Sequence, residues 1–184
     1  MPFITTDIPD LVIFEPKVFP DSRGYFFESY NEEVCKAAGI DIKFVQDNQA
    51  GSEYGVIRGL HYQTGAHAQT KFIRVLSGAV LDVVIDLRKD SPAFGRSFSI
   101  ELSAENKKQL FIPKGFAHGY AVLSEKAEVM YKVDTFYNKG SEGGIFYNDP
   151  VLNIDWGIDK SRHLISEKDM MLPSFEAIKN NSPF

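Results

Sequence analysis

The segment 127–137, AEVMYKVDTFY, carries two phenol groups on a face that is otherwise mainly apolar. Its residues alternate as in a β-strand, so every second side chain points to the same side of the sheet. We therefore predict that Tyr131 and Tyr137 point into the protein interior, where each hydroxyl needs a hydrogen-bond partner. Phenol groups are among the side chains that exchange protons with substrates. The segment alone leaves open a structural tyrosine bonded to a backbone carbonyl.

A second segment with side chains that could bind a substrate or catalyse a reaction is 56–63, VIRGLHYQ, which contains Arg58 and His61. Strict alternation would place these two side chains on opposite faces of a strand. Gly59 lies between them and can accommodate a β-bulge that turns both inward. An inward Arg58 requires an anionic partner, because an unpaired buried guanidinium is costly. The alternative is a surface Arg58 beside a structural His61.

His118 ends the segment 113–118, PKGFAH, which resembles the second motif of the cupin superfamily. In metal-binding cupins this histidine joins a His-x-His pair and a glutamate, but the matching place here, 61–63, reads His-Tyr-Gln. His67 offers a third imidazole, although it stands in a loop-like segment. Two imidazoles without a carboxylate hold zinc or iron weakly. We therefore predict no metal site and no cofactor, and the sequence has no glycine-rich dinucleotide motif.

The elements that position these groups are mostly strands. Fifteen Phe and eight Tyr, with many Val and Ile, occur in short runs separated by Gly, Pro, Asp and Asn, which is typical of an all-β domain. So many strands must protect their edges, and we predict a single cupin-type jelly-roll β-barrel domain over residues 1–184. The predicted strands lie near 11–19, 24–30, 44–49, 56–63, 69–77, 79–88, 95–102, 108–112, 117–123, 127–137 and 144–147.

Few helices are expected. One spans Asn31 to Ala38, with Asn31 as the N-cap, acidic residues in the first turn and Gly39 as the stop. A second short helical segment lies within 173–180. The dipeptide 77–78, Ser-Gly, joins two apolar runs and predicts a tight hairpin turn between them.

Composition restricts the class of partner. The net charge of −5 and the lack of a Lys/Arg cluster argue against a nucleic-acid partner. No apolar run approaches the ~20 residues that span a bilayer, and the first residues do not resemble a signal peptide. Cys35 is the single cysteine, so no internal disulfide is expected. We expect a cytoplasmic protein without a membrane partner, and the aromatic content favours a homodimer.

Five segments together resemble the dTDP-4-dehydrorhamnose 3,5-epimerase family, in order and in spacing. They cover roughly residues 1 to 170, and five matches in register are much more specific than any one of them. The segments are 21–28 (DSRGYFFE), 44–48 (FVQDN), 58–63 (RGLHYQ), 113–119 (PKGFAHG) and the stretch from Tyr131 to Pro150.

The resemblance implies an isomerase that inverts C3 and C5 of dTDP-4-dehydro-6-deoxy-D-glucose in dTDP-rhamnose biosynthesis. His61 matches the base that removes a proton beside the C4 ketone, and Tyr131 matches the acid that returns one on the other face. Asp169 matches the carboxylate that pairs with the histidine and fixes its tautomer. Lys71 matches the cation that stabilises the enolate oxygen.

The same resemblance implies a set of substrate-binding residues. Cations of this set would hold the diphosphate, because a guanidinium fork suits phosphate oxygens. The other members would contact the sugar and the thymine ring, on which Tyr137 would stack. The set comprises Arg23, Phe26, Glu28, Gln46, Asn48, Arg58, Lys71, His118, Tyr137, Glu142 and Lys168.

Other functions remain compatible with the sequence. A mono-epimerase acting at C3 or C5 alone, or a ketoisomerase, would use similar groups on a related dTDP-keto-sugar. Two further alternatives are a cupin that only binds a sugar nucleotide and a metal-dependent dioxygenase. Neither of these last two has a need for a histidine–aspartate pair opposite a tyrosine.

Overall fold

The structure of the protein is a computed structural model that describes residues 2–184; Met1, the first residue of the predicted domain, lies outside this range. Short strands dominate it, as expected from the Phe-, Val- and Ile-rich runs. The strands are β1 Phe3–Thr5, β2 Val12–Phe14, β3 Phe19–Asp21, β4 Gly24–Phe26, β5 Gln46–Glu53, β6 Ile57–Gln63, β7 Lys71–Ser77, β8 Ala79–Asp86, β9 Ser97–Ser103, β10 Gln109–Ile112, β11 Phe116–Val122, β12 Lys126–Val133 and β13 Glu142–Gly144; the α-helices are α1 Glu32–Ala37, α2 Glu167–Met170 and α3 Phe175–Lys179.

Two antiparallel sheets face each other and enclose the main core. The six-stranded sheet has the order β1-β2-β10-β7-β12-β5, and the five-stranded sheet has the order β13-β6-β11-β8-β9. The core between them takes side chains from both, for example Ile73 and Val129 from the first and Val84 and Leu102 from the second. The all-β jelly-roll prediction is confirmed. Within residues 2–184, however, hydrogen bonds do not close the sheets into a continuous barrel.

The outer faces of the sheets are covered differently. Helix α1 and the chain after it pack Cys35 and Ile40 against Phe72 and Phe111 of the six-stranded sheet. The C-terminal segment packs Trp156 and other apolar side chains on the five-stranded sheet. The central strands β8 and β11 of the second sheet are therefore buried on both faces, whereas the edge strand β9 alternates exposed and half-buried residues along most of its length. Among residues 2–184, the helices are too short or too polar for any of them to cross a membrane.

The predicted helices are present, and several strand bounds differ from the prediction. The Asn31 side chain accepts hydrogen bonds from the Glu33 and Val34 amides, 3.0 and 3.2 Å away, as the N-cap prediction requires. The predicted strand 11–19 is divided between β2 and β3, with Pro16, which has no N–H to donate, in the gap. Strand β1 and helix α2 were not predicted. Strand β5 continues beyond the predicted end to Glu53, because β12 pairs with it along its whole length.

The predicted hairpin at 77–78 is wrong. Strand β7 lies between β10 and β12 in one sheet, whereas β8 lies between β11 and β9 in the other. The turn is tight, but it carries the chain from sheet to sheet. Gly78 has a φ of 73°, and a Cβ added there would overlap the carbonyl oxygen of Lys126.

The predicted strand 127–137 ends early. Strand β12 stops at Val133, which pairs with Gln46 and Lys71, the first residues of its two neighbouring strands. Alternation therefore holds from Ala127 to Val133 and places Tyr131 inward. Tyr137 lies beyond the ladder and is 54% exposed, so the prediction that it points inward is wrong.

The turn at Gly78, where the chain crosses from one sheet to the other, can be tested by substitution. We expect Gly78→Ala to lower the free energy of unfolding by about 1–3 kcal/mol, because alanine is strained at this φ and meets the Lys126 carbonyl. Gly51→Ala is the matched control, since nothing lies within 4 Å of its added Cβ. Urea denaturation followed by fluorescence measures both. Equal stability of the two variants would show that the crossover tolerates a side chain.

Candidate active site

A cavity of about 720 Å³ opens at one end of the space between the sheets. Its walls are the inner faces of β5, β6, β7, β11 and β12, closed on one side by the segment 163–169. This combination of an apolar enclosure with convergent polar groups is typical of a small-molecule site. The ionisable and hydroxyl-bearing side chains that line it are Arg58, His61, Lys71, His118, Tyr120, Tyr131, His163, Ser166, Lys168 and Asp169.

A β-bulge turns two of these groups into the cavity. The register between β6 and β11 shifts so that Gly59 and Leu60 together oppose Gly119. A Cβ on Gly59, whose φ is 133°, would lie 2.5 Å from the Cα of Gly119, so the two backbones can approach only as glycines. Arg58 and His61 consequently line the same cavity while Leu60 packs on the opposite face.

His61 is held by a carboxylate from the C-terminal segment. Its Nε2 lies 2.7 Å from Oδ1 of Asp169, whose other oxygen accepts a weaker bond from the Gly59 amide. Asp169 lies in α2, where the Ser166 side chain caps the helix by accepting from the Asp169 amide at 3.1 Å. Burial raises the pKa of Asp169, but the hydrogen bond and charge of His61 outweigh it and leave the pKa below its ordinary value. An ionised Asp169 keeps the proton on Nε2, so Nδ1 of a neutral His61 has a free lone pair.

Tyr131 comes from the facing sheet. It belongs to β12 of the six-stranded sheet, whereas His61 belongs to β6 of the five-stranded sheet, and both side chains line the cavity. Burial raises the pKa of Tyr131 and the positive charge of Arg58 opposes this rise. The phenol therefore keeps its proton at neutral pH. An imidazole and a protonated phenol thus stand on opposite walls of one cavity, which is suited to removing and returning protons at a carbon acid.

A cation lines the same cavity. Lys71 is at the inner end of β7, with its Nζ 5.9 Å from the centre of the Tyr131 ring and 3.5 Å from Nδ1 of His118. Burial lowers the pKa of Lys71 to about 8, although the charges of Asp82 and Glu142 oppose the fall. At neutral pH the ammonium is available to stabilise a developing oxyanion.

Two buried residues near the site were not predicted from the sequence. Asp82 is fully buried on β8 and lies 2.9 Å from Nε2 of His118, and Tyr120 lines the cavity with 4% of its surface exposed. The sequence pattern does indicate an inward Asp82, because it shares strand parity with Val80 and Val84 in an apolar run. A carboxylate on a core face requires a partner. That partner was not identifiable without the strand order.

Three predicted binding residues form a cluster at the rim. Glu142 accepts hydrogen bonds from the hydroxyl of Tyr137 at 2.9 Å and from Nζ of Lys168 at 2.6 Å. Lys168 lines the cavity, and Glu142 belongs to β13, which pairs with the strand β6 that carries His61. The carboxylate thus holds both the aromatic ring and the cation at the cavity mouth.

The remaining predicted residues are distributed over two places. Gln46 and Asn48 share the inward row of β5 and are joined by a 2.8 Å hydrogen bond, and Asn48 pairs with Tyr131 across the ladder. Neither these two nor the other three residues line the cavity of their own chain. Arg23 forms an ion pair with Asp21, Phe26 is 67% exposed on the β3–β4 hairpin, and Glu28 accepts from Asn31; His67, considered as a metal ligand, lies in a 3₁₀ turn outside the cavity.

Comparison with known proteins agrees with this arrangement. A sequence model of the dTDP-4-dehydrorhamnose 3,5-epimerase family matches residues 5–177. An enzyme of that name from Shigella flexneri is 52% identical over 171 residues, which cover 92% of this chain and 93% of the relative. The crystal structure of another, from Elizabethkingia anophelis, is 50% identical and has a TM-score of 0.91, with 95% of this chain and 96% of that chain covered.

A liganded structure is also similar. The dTDP-6-deoxy-D-glucose-3,5-epimerase of Legionella pneumophila, crystallised in complex with dTDP-4-keto-L-rhamnose, is 45% identical. It has a TM-score of 0.91 and covers 96% of this chain and 93% of its own. The family match over residues 5–177 and the identity to these relatives show that this chain belongs to the dTDP-4-dehydrorhamnose 3,5-epimerase family.

Proposed function

We propose that this protein inverts C3 and C5 of dTDP-4-dehydro-6-deoxy-D-glucose, giving dTDP-4-dehydro-L-rhamnose for dTDP-rhamnose biosynthesis. Family membership makes the chain an isomerase that acts on a dTDP-sugar. The observation that carries the proposal for its own residues is the placement of the His61–Asp169 pair and Tyr131 on facing walls of one cavity. Epimerisation needs a base and an acid on opposite sides of a sugar ring, and this geometry supplies both.

In the proposed reaction, Nδ1 of His61 removes the proton from a carbon beside the C4 ketone. The electron pair of the broken C–H bond forms an enolate, whose oxygen accepts a hydrogen bond from the Lys71 ammonium. Tyr131 then protonates the same carbon from the other face. The imidazolium and the phenolate return to their starting states by exchanging one proton with solvent. C3 and C5 both flank the ketone, so the same groups serve each inversion.

The cations at the cavity mouth bind the diphosphate in this proposal. Arg58 lines the cavity and is held by Ser52 Oγ at 3.0 Å, while Lys168 is held by Glu142. A bidentate guanidinium and an ammonium together match two phosphate groups. The net charge of −5 means that binding relies on these local cations, and it disfavours nucleic acid as a partner. We propose a single domain that acts in the cytoplasm without a cofactor or a membrane partner.

Arg23, Phe26 and Glu28 require a second subunit to act as binding residues, because they do not line the cavity of their own chain. We propose a homodimer on this ground. The β3–β4 hairpin exposes Phe19, Tyr25 and Phe26, an apolar patch that favours contact with another chain.

Sedimentation velocity at micromolar concentration tests the homodimer. We expect a dimer of the 20.7 kDa chain, and a sole species at the monomer mass would contradict it. Arg23→Ala should then weaken substrate binding and leave the dimer intact, since the guanidinium is exposed and, among residues 2–184, forms an ion pair only with Asp21.

Incubation with dTDP-4-keto-6-deoxyglucose in deuterated water tests the reaction. We expect deuterium at both C3 and C5 by NMR, because each carbon is deprotonated and then reprotonated from solvent-exchanged groups. Exchange at one carbon alone would identify a mono-epimerase, and a product with a displaced carbonyl would identify a ketoisomerase. The experiment is repeated with a chelator, and loss of turnover there would contradict the proposed metal-independent mechanism.

Single substitutions test the two roles separately. His61→Asn should lower kcat by at least about 10²-fold at both carbons with nucleotide affinity retained, because the base is lost. Tyr131→Phe should impair inversion more than solvent exchange, because proton removal remains possible. His67→Asn and Tyr62→Phe are matched controls outside the cavity and should retain activity. Full activity of His61→Asn would exclude His61 as the base.

A further inference from the structure

Asp82 is a charged group in an apolar place. It is fully buried on the inner face of β8, and it does not line the cavity. Its neighbours of the same parity, Val80 and Val84, belong to the main core. Taking a carboxylate out of water into such surroundings is costly unless it is paired. The substrate cannot touch this group, so any part it has in the reaction must pass through another side chain.

That side chain is His118. One oxygen of Asp82 lies 2.9 Å from Nε2 of His118, and no protein group of residues 2–184 bonds the other oxygen. On the far side of the ring, Nδ1 of His118 lies 3.5 Å from Nζ of Lys71. A neutral imidazole has one N–H, and an anionic carboxylate at Nε2 requires that proton there. Nδ1 is then a lone-pair acceptor that faces the ammonium.

We propose that Asp82 is a positioning residue, which fixes the Nε2–H tautomer of His118 and thereby holds the charged Lys71 toward the enolate oxygen. This inference rests on the role given to Lys71 in the proposed function. The opposite tautomer would direct an N–H at the ammonium and drive the lysine away. Asp82, His118 and Lys71 lie on β8, β11 and β7, so the chain of contacts connects the two sheets.

The charges around Lys71 agree with this proposal. Asp82 and Glu142 are the anions that raise its pKa against burial, and the Tyr131 ring offers its face. Burial, together with the positive charge of Lys71, keeps the pKa of His118 below its ordinary value, so the ring stays neutral near pH 7 despite Asp82. Lys71 itself loses its proton as the pH rises through about 8. Activity that needs the ammonium is therefore present below that pH and is lost above it.

The tautomer is measured on the unmodified protein by ¹⁵N NMR of the histidine rings. We expect His118 to show a protonated Nε2 and an unprotonated Nδ1 at neutral pH. An Nδ1–H ring would overturn the proposal whether or not the protein is an epimerase. This readout is independent of turnover, so it separates failure of the inference from failure of the proposed function.

The kinetic arm uses Asp82→Asn. We expect kcat to fall on the order of tenfold or more, with KM little changed, as for loss of a group that acts through another. The alkaline limb of the kcat–pH profile should also move to lower pH by on the order of one unit, because an anion that supports protonated Lys71 is gone. Asp82→Glu, which keeps the charge, should restore part of both.

Asp86→Asn is the matched control, because Asp86 is a fully buried aspartate on the same strand that pairs with Arg88 instead. It should reduce thermal stability without moving the alkaline limb. If Asp82→Asn lowers activity only in proportion to the folded fraction, with its alkaline limb in place, Asp82 is structural and the proposal fails. If Asp82→Asn does not fold, the ¹⁵N NMR result on the unmodified protein decides the proposal.

Discussion

The hydrogen bond between His61 and Asp169 is the contact on which the rest of the site depends. It connects β6 of the five-stranded sheet to a C-terminal helix of only one turn, and the segment that leads into this helix forms a wall of the cavity. The same carboxylate thus orients the proposed base and closes the space in which it works. Because the pKa of Asp169 is lowered in the folded state, this stabilisation is present above its ordinary pKa and is lost as the pH falls through the folded value. Removing the partner would leave a buried charge uncompensated.

The two-sheet architecture separates the proposed acid from the proposed base. His61 and Tyr131 lie on different sheets, so a sugar ring held between them presents opposite faces to the two groups. The cavity occupies one end of the space between the sheets. The packed core at the other end maintains the spacing, since protein interiors are too dense to adjust freely. A rigid gap of this kind favours inversion over random protonation.

Two imidazole–carboxylate pairs stand side by side in this gap. His61 and His118 are register partners across β6 and β11, and each has its own aspartate at Nε2. The two histidines differ in what surrounds the second ring nitrogen, and this difference suits them to different functions. His61 faces open cavity with its other nitrogen, whereas the corresponding nitrogen of His118 faces Lys71. The first pair is suited to proton removal, and the second to holding a cation at the place where negative charge develops.

Local patterns in the sequence determined much of the architecture. Alternation placed Tyr131 inward, Asn31 capped its helix, and the Gly59 position predicted the bulge that brings Arg58 and His61 to one face. These features depend on neighbouring residues, so a single chain segment contains the information. Five motifs in register also identified the family, through resemblance and not through physics.

Tertiary structure decided what depended on distant pairings. Tyr137 lies outside the interior because the pairing of β12 with β5 and β7 ends at Val133. The turn at Gly78 connects the two sheets because β7 is already paired with β10 and β12 on its two edges. The pairing of Asp82 with His118 could be recognised only from the structure, in which β8 lies beside β11. Strand order is a property of long-range contacts, and local alternation is the same whichever strand lies alongside. The sequence by itself therefore determined which residues share a face within a strand, and only the folded chain determined where each strand ends and which of those residues meet.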